Sequence, residues 1–243
     1  LNTRANNGNR QRLRRLGTEQ ADLPHSLPLS WDATVWVRRL EDRMDALQFM
    51  ISGPVDTPYM NGLFLFDTYF TEEYPNQPPL VNLSTTGKGS VRFNPNLYNN
   101  GKVCLSLLGT WSGQQGESWS AGTSTFLQVL LSIQSLIMID TPYFNEPGYE
   151  RGTTAATEAS FHYNVVIMIA CIKEAMIDQI RNPKKGFEEV TRKHFKMKRN
   201  AIIAQIEGWC QLLLDHREVA DKGGVRQSYA PKQDLPQKER EMR

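Results

Sequence analysis

The sequence predicts an α+β domain: a four-stranded antiparallel meander flanked by an N-terminal helix, a crossover helix and C-terminal helices. Three observations carry this. Residues 33–85 hold four short runs rich in Val, Leu, Ile and aromatic residues, joined by short polar turns, as sequential antiparallel strands are. From Thr123 the apolar period lengthens, with Phe126, Val129, Leu130, Ile133, Ile137 and Met138 at helical spacing. Helical patterns also open and close the chain, so strands and helices are segregated rather than alternating.

Residues 1–9 are polar and expected to be flexible. "RQRLRRLGTEQADL" places Leu13, Leu16, Gln20 and Leu23 on a loose stripe among Arg10, Arg12, Arg14 and Arg15. It predicts a short amphipathic helix with a basic face that stops before Pro24. The strands are "ATVWVRRL" and "DALQFMISGP" around the charged turn "EDRMD", then "NGLFLFDTYF", then "PPLVNLST", whose Pro78 and Pro79 sit where a strand accepts proline. Residues 91–122 are rich in Gly, Asn and Ser and predict a loop with at most one helical turn. A loop of that length in a compact domain is more often functional than idle.

Thr123 or Ser124 is the expected N-cap of the crossover helix. "DTPYFNEPGYERG" (140–152) reads as a turn-rich connector. The stretch 153–180 reads as a helix apolar enough to be mostly buried, ended by Asn182-Pro183. A last amphipathic helix is expected over 187–216. Residues 218–243, charged and dotted with Pro and Gly, predict a disordered tail. The folded unit is therefore expected to span 10–217.

A chain of 243 residues has room for one sizeable core, and a formal net charge of +2 gives no reason to expect nucleic acid as a partner. The start at Leu1 suggests a piece excised from something longer. Three cysteines with no close-spaced pair argue against a disulfide framework and a structural zinc site, and for a reducing, cytoplasmic setting. The Arg-rich opening is no signal peptide. The run 126–139 is too short, and too interrupted by Gln128, Ser132, Gln134 and Ser135, to span a bilayer, so no membrane insertion is expected.

Cys104 lies in "RFNPNLYNNGKVCLSLLGTW". Cys171 and Cys210 sit in apolar helical stretches and are expected in the core. An isolated cysteine is more often a small core hydrophobe than a reagent. Cys104, however, follows a loop dense in Asn94, Asn96, Asn99, Asn100 and Gly101, whose amides and backbone N–H groups are the donors that stabilise an oxyanion in acyl transfer. No motif pairs it with His25, His162, His194 or His216 as a protease would require. No phosphate-loop pattern occurs, and no metal-ligand cluster surrounds it. On the residues alone both readings stay open.

"GPVDTPYMNGLFLFDTYFTEEYPNQPPLV", then "FNPNLYNNGKVCLSLL", then "TFLQVLLSIQSL" together resemble the ubiquitin-conjugating enzymes. The resemblance covers about Val35 to Pro147. It joins a Gly-Pro turn, a Pro-x-x-Pro-Pro segment, a Pro-Asn ahead of the cysteine at the family's spacing, and the crossover helix. It implies the ubiquitin-conjugating fold. It also implies that Cys104 accepts ubiquitin from an activating enzyme as a thioester and passes it to a lysine. No cofactor is implied, since ATP is used by the upstream activating enzyme.

Asn96 matches the family asparagine that stabilises the oxyanion or braces the loop; both roles stay open. Glu146 matches the acidic position implicated in orienting or deprotonating the lysine, with a solvated turn carboxylate as the alternative. The resemblance further implies that Arg10, Arg12, Arg14 and Arg15 dock on the activating enzyme. Three positions depart from the pattern. Asn94 stands where the family has the histidine of His-Pro-Asn. Asn76 and Ala121, in the two ligase-docking loops, weaken the usual hydrophobic contacts there, which puts generic RING or HECT docking in doubt.

The long loop after the cysteine and the C-terminal extension resemble one branch, in which the domain belongs to a giant ligase that inhibits apoptosis. That implies protein substrates among apoptosis regulators, selected by the parent itself. Trp111, in the insertion 109–118, reads equally as a lid residue or as surface. The competing functions are an inactive ubiquitin-binding variant and conjugation of another ubiquitin-like modifier.

Overall fold

The computed structural model describes residues 2–111 and 117–221. Helix α1 (Asn2–Ser26) leads into strands β1 (Val35–Leu40), β2 (Arg43–Ser52), β3 (Leu63–Tyr69) and β4 (Leu80–Leu83). These pair antiparallel in the order β1-β2-β3-β4, the expected meander. A long segment with one 3-10 turn, Ser106–Leu108, reaches α2 (Phe126–Ser132), whose last part widens into a π turn, Ile133–Ile137. After a 3-10 turn at Pro142–Asn145 come α3 (Thr154–Ala170), a π stretch (Cys171–Ile177) and α4 (Asp178–Arg181). Helices α5 (Glu188–Met197) and α6 (Arg199–Asp221) complete the described residues.

Strand periodicity sorts the side chains onto two faces. Leu47, Phe49 and Ile51 of β2 lie beside Phe64 and Phe66 of β3 and pack against Phe126, Val129 and Leu130 of α2 and Ile133 of the π turn. Phe49 stacks on Phe66 with centroids 4.7 Å apart, and Phe126 meets Phe49 and Phe70 edge-on at 5.9 and 5.2 Å. Such pairs add roughly 0.5–1.5 kcal/mol each beyond their buried area. Met50, Leu63 and Leu65 point the other way and are covered by Phe187 with Val190 and Phe195, so the C-terminal extension seals the second face of the sheet.

Several elements depart from expectation. Helix α1 begins at Asn2 rather than Arg10 and runs through Pro24 to Ser26. Two residues before a helix end, a proline removes only one late intrahelical bond. Buried Leu23 and the bond from Leu27 N to Leu23 O, 2.9 Å, hold that turn. The N-cap of α2 is Thr125, not Thr123 or Ser124. Its hydroxyl accepts from Gln128 N while the Gln128 side chain accepts from Thr125 N, a capping box visible as Thr-x-x-Gln. Ser124 is engaged one turn earlier, its hydroxyl accepting from Ser120 N.

The helical run from Thr154 to Arg181 is not mostly buried. Its inner stripe (Ile167, Met168, Cys171, Ala175, Met176) joins the core, but Val166, Ile169 and Ile180 are 63%, 59% and 55% exposed. A helix laid on one side of a sheet buries one stripe, whatever its other faces carry. By length and composition alone this run also falls in the range of a membrane-crossing helix. The expected single C-terminal helix is two, broken at Lys198, whose φ of −90° and ψ of 7° leave the helical region. Cys210 is exposed rather than in the core, because its neighbour Trp209 takes the inward position on α6. Helix α6 runs on to Asp221; the rest of the expected tail, 222–243, lies outside the described residues, as does 112–116 of the insertion.

Candidate active site

Cys104 lies just before the 3-10 turn and is only 2% exposed. The chain around it is pinned from two sides. Cys104 N donates to Asn96 O at 2.9 Å, and Asn96 Nδ2 donates back to Cys104 O at 3.0 Å. Thr110 Oγ1 donates to Val103 O at 2.7 Å and accepts from Leu105 N at 3.0 Å, closing the segment beyond the sulfur. An Asn side-chain amide carries two N–H groups, so Asn96 holds the cysteine's carbonyl with one and retains a second for another acceptor.

Asn94 explains why this loop has one shape. It is fully buried, and all four of its amide positions are used. Nδ2 donates to Ile137 O at 2.7 Å and to the Tyr59 hydroxyl at 2.9 Å. Oδ1 accepts from Asn96 N at 2.8 Å and from Asn145 Nδ2 at 3.3 Å. One side chain therefore ties the cysteine loop to the end of α2, to the 53–62 turn and to the 142–145 turn. A histidine has two ring nitrogens and could make half as many such bonds.

Tyr59 donates to Phe93 O at 2.8 Å and is fully buried, which pushes its phenol far above the ordinary tyrosine range. Cys171 is equally buried; its thiol lies 3.3 Å from Tyr59 O, and burial pushes its pKa well up, which suits the inert core role expected of it. Gly62 is needed at this contact, since a Cβ there would come within 2.6 Å of the Cys171 sulfur.

Glu146 pairs with Arg92 at 3.3 Å, both half-exposed, and the same guanidinium donates to Pro95 O at 2.7 Å and lies over the Tyr98 ring at 4.3 Å. Arg92 thus bridges the connector after α2 to the loop that carries Asn96. Tyr59, Arg92, Thr110 and Asn145 were not legible as site residues. They lie in turns without periodicity, and their roles arise only once the turns converge.

The profile of the family described as "Ubiquitin-conjugating enzyme" matches residues 18–166, which is more than half of the chain. The chain belongs to the ubiquitin-conjugating enzyme family. It is 57% identical over 200 residues to the human "Dual E2 ubiquitin-conjugating enzyme/E3 ubiquitin-protein ligase BIRC6", covering 82% of this chain and 4% of that protein. It is 48% identical over 202 residues to the "Probable ubiquitin-conjugating enzyme protein 17" of Caenorhabditis elegans, covering 82% and 28%. A "Probable ubiquitin-conjugating enzyme E2 25" of Arabidopsis thaliana is 50% identical over 163 residues, covering 66% and 26%. The chain spans well under a third of the length of each of these relatives.

In this conjugating domain the four arginines expected to dock the activating enzyme divide into two pairs. Arg10 and Arg14 are exposed. Arg12 turns inward and donates to Thr71 O at 2.8 Å and Phe70 O at 2.6 Å, with Asp45 at 3.4 Å. Arg15 pairs with Glu19 and donates to Ser124 O. Glu19, a residue sequence reasoning passed over, also accepts from the Tyr74 hydroxyl at 2.6 Å and from Phe126 N at 2.7 Å, joining α1 to the first turn of α2.

The two loops expected to dock ligases meet through Trp119, whose indole donates to Pro75 O at 2.7 Å and whose ring lies 5.7 Å from Tyr74. Asn76 is exposed beside that joint and Ala121 is half-buried. Three of the four histidines have other partners: His194 faces Asn61 O at 3.0 Å, and His162 and His216 face Glu158. Among the described residues, no group of three His, Cys, Asp or Glu could hold a metal ion.

Proposed function

We propose that Cys104 is the acyl-carrier thiol of this conjugating domain. Its thiolate attacks the thioester carbonyl of ubiquitin held on the activating enzyme, forming a new C–S bond as the enzyme's own cysteine leaves as thiolate. A lysine amine then attacks the Cys104 thioester, the C–N bond forms, the C–S bond breaks, and the amine proton departs to a base or solvent. Negative charge gathers on the carbonyl oxygen in both steps, where a preorganised donor is worth roughly 10²–10³ in rate. The second N–H of Asn96 is suited to that role while the first braces the loop. Glu146, held by Arg92, is suited to orienting the incoming ammonium and taking its proton.

The observation that carries this reading is the reciprocal pair between Asn96 and Cys104, fixed from behind by a fully bonded Asn94. The test is loading with activating enzyme, ATP and ubiquitin, resolved without reductant. A thiol-sensitive adduct on wild type that becomes a thiol-resistant ester, or vanishes, in Cys104→Ser supports the reading. No adduct on folded wild type, beside a working control enzyme, refutes it in favour of a binding module or another modifier. Glu146→Ala should slow discharge to free lysine without altering loading.

We infer further that the domain works in the cytoplasm within a larger conjugating enzyme and ligase, on substrates that include apoptosis regulators. The name of the human relative, a dual conjugating enzyme and ligase, supports the first part, and the altered Asn76 and Ala121 loops fit a domain that does not rely on separate ligases. Strong acceleration of discharge by an ordinary RING domain would count against it.

A further inference from the structure

The 53–62 turn is tight. Gly53 N donates to Gly62 O at 2.8 Å, Asn61 N to Gly53 O at 3.1 Å and Gly62 N to Tyr59 O at 3.0 Å, and a Cβ on Gly53 would overlap Tyr59 O. A chain of bonds passes through this block, from the α5–α6 joint to the cysteine loop. At one end Asn61, buried with φ of +62°, is gripped by the joint between α5 and α6. Its Oδ1 accepts from Lys198 Nζ at 2.8 Å, its Nδ2 donates to Gln205 at 2.6 Å, and its carbonyl meets His194 at 3.0 Å. Gln205 also donates to Met60 O at 2.8 Å, and Lys198 to Trp31 O. At the other end the Tyr59 hydroxyl holds Phe93 O and Asn94 Nδ2, and Asn94 holds Asn96 N.

We propose that Tyr59 is a positioning residue through which the α5–α6 joint, acting on Asn61, holds the Asn94–Asn96 loop against Cys104. The inference rests on the reading of Cys104 as the acyl carrier. Its basis is that the Asn61, Tyr59 and Asn94 side chains along the path are buried and paired, so displacing either end of the turn separates buried groups from their partners. The C-terminal helices thereby belong to the catalytic scaffold, although none of their residues touches the cysteine loop in the bonds described above.

Two variants test it. Tyr59→Phe keeps the ring and removes the hydroxyl. Asn61→Gly keeps the left-handed backbone and the carbonyl that meets His194, and removes the side-chain bonds to Lys198 and Gln205. The readouts are the single-turnover rate of ubiquitin discharge from the loaded enzyme to free lysine, and hydrogen exchange at Cys104 N–H in the unloaded domain. Only folded protein loads, so a purely structural role would lower the loaded fraction and leave the discharge rate unchanged. The expected result is discharge slowed about tenfold by Tyr59→Phe and several-fold by Asn61→Gly, with faster Cys104 N–H exchange in both. Discharge within twofold of wild type together with unchanged exchange, in whichever variants fold, would overturn it. Absence of any adduct on wild type would instead strike the acyl-carrier reading, and the exchange measurement would still decide whether the joint holds the loop.

Discussion

Replacing Asn94 by alanine removes four hydrogen bonds at the centre of the site, but the cost is not four times one bond. The Tyr59 hydroxyl keeps its donation to Phe93 O, and the Asn145 amide still has Leu136 O at 3.3 Å. Two backbone groups lose their principal partner: Ile137 O and Asn96 N. A buried group left unpaired costs about 1–3 kcal/mol, so the pair costs about 2–6 kcal/mol, and entry of water into the vacated space should bring the sum to about 3 kcal/mol. Against a domain stability of about 5–15 kcal/mol, the variant should fold and be clearly weakened. Urea unfolding should show the midpoint falling with an unchanged slope. Discharge from the loaded enzyme should also slow, because Asn96 loses the acceptor that fixes its backbone. A loss below about 1 kcal/mol with normal discharge would mean that the network is replaceable by water, and the argument for Asn94 as the keystone would fail.

Three further outcomes follow from the same geometry. Burial pushes His194 down to about 4, aided by Lys198. The unfolded chain therefore binds the extra proton between pH 6.5 and 4, and stability should fall by about 2 kcal/mol from pH 7 to pH 5, a slope that His194→Gln flattens in pH-dependent urea melts. Charge reversal at Arg10 and Arg14 together should slow loading by the activating enzyme at low salt and spare the melting temperature, whereas Arg12→Ala should lower the melting temperature; equal loading kinetics at 20 and 200 mM salt (about these values) for wild type would remove the steering role. Glu19→Ala should destabilise by about 2–4 kcal/mol, since Phe126 N and the Tyr74 hydroxyl lose an ionised acceptor, and a change within about 0.5 kcal/mol would show that α1 is held by Leu16 and Leu23 alone.

What was legible and what was not divides by the range of the interaction. The four strands followed from short runs rich in Val, Leu, Ile and aromatic residues and the polar turns between them, and the start of α2 from a local change of period. Cys104 and Asn96 stood out because a motif keeps them eight residues apart on one loop, and their reciprocal bonds join that loop to itself. Thr125, passed over as the cap, was equally available as Thr-x-x-Gln. Cys210 and the outer stripe of α3 were misread because hydrophobicity reports a residue's preference, not whether a neighbour exists to cover it.

By itself, then, the sequence determined the meander, the crossover helix and the cysteine loop, since each rests on periodicity or on contacts between residues close in the chain. Only the tertiary structure decided that the basic face of α1 splits into an exposed pair and an inward pair, that Lys198 breaks the last helix, and that Asn94 meets Tyr59, Ile137 and Asn145 at one point. Those outcomes depend on which buried polar groups find partners 30 to 140 residues away. A side chain's capacity to form such bonds is written in its chemistry, while the identity of its partner is set by how the turns converge around the core.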